Sequence, residues 1–326
     1  MTTTGRPIPR TDSFHTHVVP QDSYSQENGR SSARKVPLPR PGWLPESVWP
    51  FQSFGLEVNR STVAVTDVGR GPALLFVHTG VWSFIWRDVI ARLAGDFRCV
   101  CLDAPGTGQS SRLSGRAISM ERSARAVTAV IEGLDLHDLT LVVHDLGGPT
   151  GLAGAAQAAE RVRGIVAVNA FGWRPSGAFF RGMLTLMGSA PIREFDVLTE
   201  FVFRITTTKF GIGRHMNGPS RQAFRAGIDR QARRAFHHYL RDARNCDALY
   251  DDVERALSGP FKGLPLITIF GERNDPLGFQ PRWKALFPGA PQFVVARGNH
   301  FPMCDDPDLV ANTIRSWHRE RVKPLQ

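Results

Sequence analysis

Residues 139–152 read LTLVVHDLGGPTGL, an apolar run that ends on His144-Asp145 and passes at once into Gly147-Gly148. Leu and Val without alternation mark a strand covered on both faces, as in the middle of a parallel sheet. An aspartate at the tip of such a strand must be solvated, paired or used chemically. The glycines behind it suit a tight strand-to-helix turn in which backbone elements approach closely. Asp145 is therefore either a helix N-terminal anion, held by the dipole, or a reactive group.

Strand and helix patterns alternate on both sides of this stretch. FQSFGLEVNRSTVAV reads as a hairpin, and PALLFVH as a buried strand. SFIWRDVIARLAG is a helix, FRCVCLDAPG a strand, and SMERSARAVTAVIEG a helix capped by Ser119. VRGIVAVNAF is a further strand. After Phe171 the strand signals stop until LPLITIFG, then PRWKALFPG, APQFVVARGNH and DPDLVANTIRSWHRERV resume the rhythm. This order predicts an α/β fold, a mostly parallel sheet with helices on both faces, interrupted by a helical insertion. The expected organisation is a flexible, disordered tail over 1–45, a core of 46–171 and 263–326, and a helical cap over 172–262. REFDVLTEFVFRITTTKF and the arginine-rich helix RQAFRAGIDRQARRAFHHYLRDAR are the clearest helical patterns there, with His237-His238 on a solvated helix.

The 326 residues carry a net charge of +10. The excess arginine lies in the tail and along one helical run, without a base-stacking or groove-reading motif, so no nucleic-acid partner is expected. No apolar run is long enough to span a membrane, and no membrane partner is expected. The tail has no signal-peptide core; Asp12, Asp22 and Glu27 argue against a mitochondrial presequence. Four scattered cysteines match no metal pattern and suit a reducing cytoplasm. No metal or organic cofactor is implied, and the oligomeric state is not legible. Asp103, Gly106 and Gly108 are expected to build a structural turn.

Asp145, Asp275 and His300 each follow a strand, where a parallel sheet opens into a crevice. Nucleophile, acid and histidine in that chain order are the arrangement of the α/β-hydrolases. VVHDLGGPTGL, DAPGTGQS, GERNDPLG and GNHFPMCDDPD together resemble that superfamily, over about residues 48–320. The aspartate in the elbow resembles the haloalkane dehalogenase and epoxide hydrolase branches; WPFQSFGLEV, HTGVWSFIWRDVIARL and AERVRGIVAVNAFGW are more similar to the dehalogenases. Val143 stands where the elbow pattern has Gly.

The resemblance implies an ester formed on Asp145, its hydrolysis by water with His300 as base, and Asp275 as the acid partner. Glu272 is the alternative register, because GERND is one residue longer than the usual G-x-x-D. Asn169 occupies the other position from which relatives take an acid. Backbone N–H groups of Leu146 and of Thr79 or Gly80 would hold the oxyanion. The usual halide donors, Trp after the nucleophile and Asn after the HG pair, are absent; Trp82, Trp86 and Trp173 are the candidate substitutes. The expected substrate is a small apolar organic molecule, with water as co-substrate. Epoxide opening, using Tyr239 and Tyr250 as acids, and a non-catalytic binding role are the alternatives.

Overall fold

The computed structural model describes residues 33–58 and 60–322. Nine strands form one sheet: β1 Arg34–Pro37, β2 Ser53–Val58, β3 Ser61–Val68, β4 Ala73–His78, β5 Arg98–Leu102, β6 Leu139–Asp145, β7 Val162–Ala170, β8 Leu266–Gly271 and β9 Gln292–Val295. Their spatial order is β1-β2-β3-β5-β4-β6-β7-β8-β9. The first three strands pair antiparallel and β3 meets β5 antiparallel; from β5 through β9 every pair is parallel. The strand order reverses around β4, so the carboxyl ends of β4 and β6 meet at a topological switch point, where open parallel sheets bind ligands.

Period-two alternation separates the two faces. Leu75, Val77, Leu141 and Val143 enter one core layer, while Leu74, Phe76 and Val142 enter the other. The first layer is closed by α2 (Met120–Gly133) and α3 (Gly147–Ala156), the second by α1 (Arg87–Leu93) and, at the chain's end, α12 (Pro307–Arg321). Ser119 caps α2 by accepting the Arg122 N–H at 3.1 Å, as the sequence predicts. Cys99 and Cys101 share the second layer, where burial pushes the Cys101 thiol up to about 12. All four cysteines are free thiols.

Between β7 and β8 run six helices: α4 (Ala178–Met187), α5 (Ala190–Thr199), α6 (Phe201–Thr206), α7 (Gly218–Ala226), α8 (Arg230–Asp242) and α9 (Asp247–Ser258). They are pinned to the core by Tyr239, whose hydroxyl donates to the Pro105 carbonyl at 2.6 Å, and by Asp242, which accepts the Met120 N–H at 2.7 Å. After β8 come α10 (Phe279–Leu286) and the short α11 (Pro302–Asp305). Among the described residues no helix is long and apolar enough to cross a membrane.

Three expectations need correction. The tail does not extend to residue 45: Arg34–Pro37 forms the edge strand β1 against β2, and Leu44 is buried; residues 1–32 lie outside the described residues. Both helical runs expected in the insertion are broken, including the arginine-rich one read as one helix. Glu200, at φ +58°, separates α5 from α6, and Gly227–Asp229 separates α7 from α8, where Asp229 caps the new helix through the Ala232 N–H. His237 is not solvated; it is fully buried, between Asp196 Oδ2 at 3.0 Å and the Met187 carbonyl at 2.6 Å.

Candidate active site

Asp145 ends β6 at φ +49°, a region that side chains other than Gly, Asn and Asp seldom enter. The following turn leaves no room for larger residues. A methyl group at Gly147 would overlap the Val77 carbonyl, and one at Gly148 the Phe171 carbonyl. Val143, which replaces the usual elbow glycine, is accommodated because Gly151 faces it: a Cβ there would lie 2.8 Å from Val143 Cγ1. The elbow thus keeps its total volume while moving the small residue from strand to helix.

His300 Nε2 lies 3.7 Å from Asp145 Oδ2. Burial is the largest single influence on the Asp145 carboxyl and acts to raise it. His300, together with His144 and His78, outweighs burial and holds the group well below the usual carboxylate range. The elbow carboxylate therefore carries a negative charge at neutral pH.

Asp275 is not the partner of His300. Its carboxylate accepts the Phe279 and Gln280 N–H groups at 2.6 and 2.9 Å, at the start of α10. Glu272, the alternative, accepts the Arg297 N–H at 2.6 Å. Asp305 accepts the Asn299 N–H and pairs with Arg214. The group at His300 Nδ1 is Asn274, whose Nδ2 donates to it at 3.0 Å. That bond places the ring proton on Nε2, facing Asp145. For Nε2 to act as a base, the proton must move to Nδ1 and the Asn274 amide must turn so that Oδ1 accepts it. A His–Asn pair of this kind orients the imidazole but carries no charge to stabilise its cation. Counted from Gly271, Asn274 is the fourth residue of G-x-x-D; the spacing was conventional and the residue was not.

Asn169, at φ +39°, is a staple. Its Nδ2 donates to the Asn299 and His300 carbonyls, both at 2.9 Å, and its Oδ1 accepts the Gly271 N–H at 3.0 Å. It fixes the histidine loop to the end of β8. His144 adds a second anchor, with Nε2–H donating to the His300 carbonyl at 2.8 Å. Its Nδ1 then accepts from His78 Nδ1 at 2.9 Å, an arrangement that works only with His144 neutral. Burial accordingly drives His144 well below its ordinary value and lowers His78 to about 4.

His78 and His144 are register partners in neighbouring parallel strands, so Thr79 and Gly80 leave β4 beside Asp145. The Thr79 hydroxyl bonds Thr150 at 2.8 Å and Ser123 at 3.0 Å, and Gly80 takes φ +111° beneath the Phe236 ring of α8. Leu146 is buried at the entrance to α3. Trp82 is removed as a leaving-group donor, because its indole N–H donates to the Phe224 carbonyl at 3.2 Å. Trp173 is a packing residue, 5.2 Å from Trp283 and under the Arg282 guanidinium at 4.4 Å. Trp86, 6.2 Å edge-on to His144, keeps a buried indole N–H without a partner among the described residues. The Tyr239 and Tyr250 hydroxyls are both spent on backbone carbonyls, of Pro105 and Ala243, and burial raises both. No cluster suited to a metal ion occurs among the described residues.

A family model described as the alpha/beta hydrolase fold matches residues 72–190, which span the turn after β4 and the elbow. Haloalkane dehalogenase 2 of Mycobacterium tuberculosis is 28% identical over 272 residues, covering 82% of this chain and 95% of its own. The chain has the α/β-hydrolase fold and is similar to the haloalkane dehalogenases. The solved haloalkane dehalogenase from Bradyrhizobium elkani superposes on this chain with a TM-score of 0.70 at 19% identity, over 83% of this chain and 98% of that one. The cis-3-alkyl-4-alkyloxetan-2-one decarboxylase of Shewanella oneidensis is 23% identical over 294 residues, 84% of this chain and 91% of its own.

Proposed function

We propose that this hydrolase cleaves a small apolar organic substrate, an alkyl halide foremost, through an alkyl ester on Asp145. The observation that carries the reading is the ionised Asp145 carboxylate, strained at the elbow and facing His300. A carboxylate needs no base to attack a saturated carbon. One Asp145 oxygen bonds to the carbon, and the halide leaves with the electron pair of the broken bond. Water then adds to the ester carbonyl, giving up a proton to His300 Nε2, and the alcohol departs as Asp145 is regenerated. Leu146 and Gly80 N–H groups are assigned to the oxyanion, and Asn274 to orienting the imidazole. The free thiols support placing this chemistry in a reducing compartment such as the cytoplasm.

A second reading is favoured by two gaps, the absent halide-donor side chains and the uncharged partner of His300. The Shewanella relative is named for a strained four-membered lactone. If Asp145 opens such a ring at the carbon bearing the ring oxygen, the leaving group is a tethered carboxylate that needs no halide cradle. Loss of carbon dioxide then forms the alkene and expels Asp145, without water or a base. The epoxide alternative loses support, because both tyrosine hydroxyls are engaged elsewhere.

Incubation with bromo- and iodoalkanes, disubstituted β-lactones and epoxides separates these readings. Halide release with alcohol formation is expected for the first, and alkene with carbon dioxide for the second. Diol formation, or binding without turnover across all three classes, would overturn both.

A further inference from the structure

Eight of the twelve exposed large apolar side chains among the described residues fall between Phe179 and Phe210. On α4 they are Phe179, Met183 and Leu186, spaced to form one helical face turned away from the core. On α5, Phe195 and Leu198 stand out in the same way, Leu198 at 71% exposure. Both helices pack on α8 and on each other. Phe201 continues the surface onto α6, its ring 6.0 Å from Phe195, and Ile205 follows one turn later. Phe210, 66% exposed, ends the run beside Lys209, whose ammonium sits 5.3 Å from the ring. So concentrated an apolar surface on a water-facing helical layer marks a contact site.

The charges around it select the occupant. Arg181, Arg204 and Lys209 are exposed and form no salt bridge among the described residues, whereas Glu194 and Glu200 are each paired with arginines. Residues 172–262 hold 15 Lys and Arg against 9 Asp and Glu. A second copy of this chain would bring the same cations face to face. An anionic lipid surface accepts both features, taking the aromatic and aliphatic side chains below the headgroups and the cations among the phosphates.

We propose that the outer face of α4–α6 docks the protein on anionic membrane surfaces. The expectation of no membrane partner rested on the lack of a spanning segment, which does not bear on attachment in the plane of the interface. The face connects to the active site: Phe203 of α6 contacts Phe236 at 5.2 Å, and Phe236 covers Gly80. Docking would therefore present the layer above Asp145 to a phase that concentrates apolar molecules. That consequence rests on the proposed activity; attachment does not.

The test is co-sedimentation of the full chain with vesicles of phosphatidylglycerol and phosphatidylcholine in equal parts, against phosphatidylcholine alone. Binding to the anionic vesicles, weakened by salt, is expected. Phe179→Ser with Leu198→Ser should abolish it, and Arg204→Gln with Lys209→Gln should weaken it about thirtyfold. All four positions are exposed, so melting curves should stay those of the parent. Absence of vesicle binding, or binding indifferent to both double variants, would overturn the proposal. So would a dimer in sedimentation velocity that Phe179→Ser with Leu198→Ser dissociates, since a second copy would then own the face. Each readout is independent of turnover, so loss of the proposed chemistry would leave the docking result standing.

Discussion

Replacing Asn274 by Asp tests the most unusual feature of the site, a base without a charged partner. Asn274 sits 3.0 Å from His300 Nδ1, so the carboxylate of Asn274→Asp would meet the imidazole at hydrogen-bond distance. At that separation and an effective dielectric of about 20, attraction to the imidazolium is about 5 kcal/mol. The His300 side chain is 35% exposed, and solvent roughly halves the figure, to about 2.5 kcal/mol. At about 1.4 kcal/mol per decade, hydrolysis of the ester should accelerate by roughly 60-fold. Alkylation by Asp145 needs no base and should hardly change. The parent enzyme is therefore expected to release one equivalent of halide in a burst and then turn over slowly, limited by ester hydrolysis. Asn274→Asp should shrink the burst and raise the steady rate. Rapid-quench halide measurement on both proteins decides it. A parent with no burst, together with a variant no faster than the parent, would refute the claim that the neutral partner limits hydrolysis.

Gly148→Ala forces a methyl group onto the Phe171 carbonyl and should cost about 3 kcal/mol or more in urea unfolding, whereas Gly182→Ala, with open space on α4, should stabilise by roughly 0.5–1 kcal/mol. Acid should destabilise the fold through its buried histidines. His78, lowered by burial from 6.5 to about 4, binds its proton more readily unfolded than folded. Stability therefore falls as pH drops from about 6.5 to 4, by roughly 3 kcal/mol from this residue, and His144 adds in the same direction. Urea midpoints across that window should show the loss, and His78→Gln should reduce it to the share of His144. Asp145, held low in the fold, contributes stability that is lost only below its unfolded value near 3.8, outside that window.

The sheet and the elbow were legible because each leaves a strong local mark. LTLVVHD is an uninterrupted buried run, and Gly147-Gly148 stand where any Cβ would strike backbone. The histidine was legible for the same reason, as a polar residue following a strand. Its partner was not. Chemistry asks for a carboxylate, and Asp275 offered one a single residue beyond the position that geometry selects; turning into the first turn of α10 commits it to capping. The insertion was legible as helical but not in its breaks, since apolar periodicity runs straight through Glu200, whose left-handed backbone redirects the chain. His237 was misplaced because composition alone cannot reveal Asp196, forty-one residues earlier, as its buried partner.

Intact-mass spectrometry of the His300→Gln variant, mixed with substrates that the parent consumes by hydrolysis, reads out the bond at the centre of this account. A mass increment equal to the substrate's alkyl group, mapped to the peptide bearing Asp145 and absent when Asp145→Asn is added, is the expected result. An unmodified protein throughout, or parent-like turnover by Asp145→Asn alone, would contradict it.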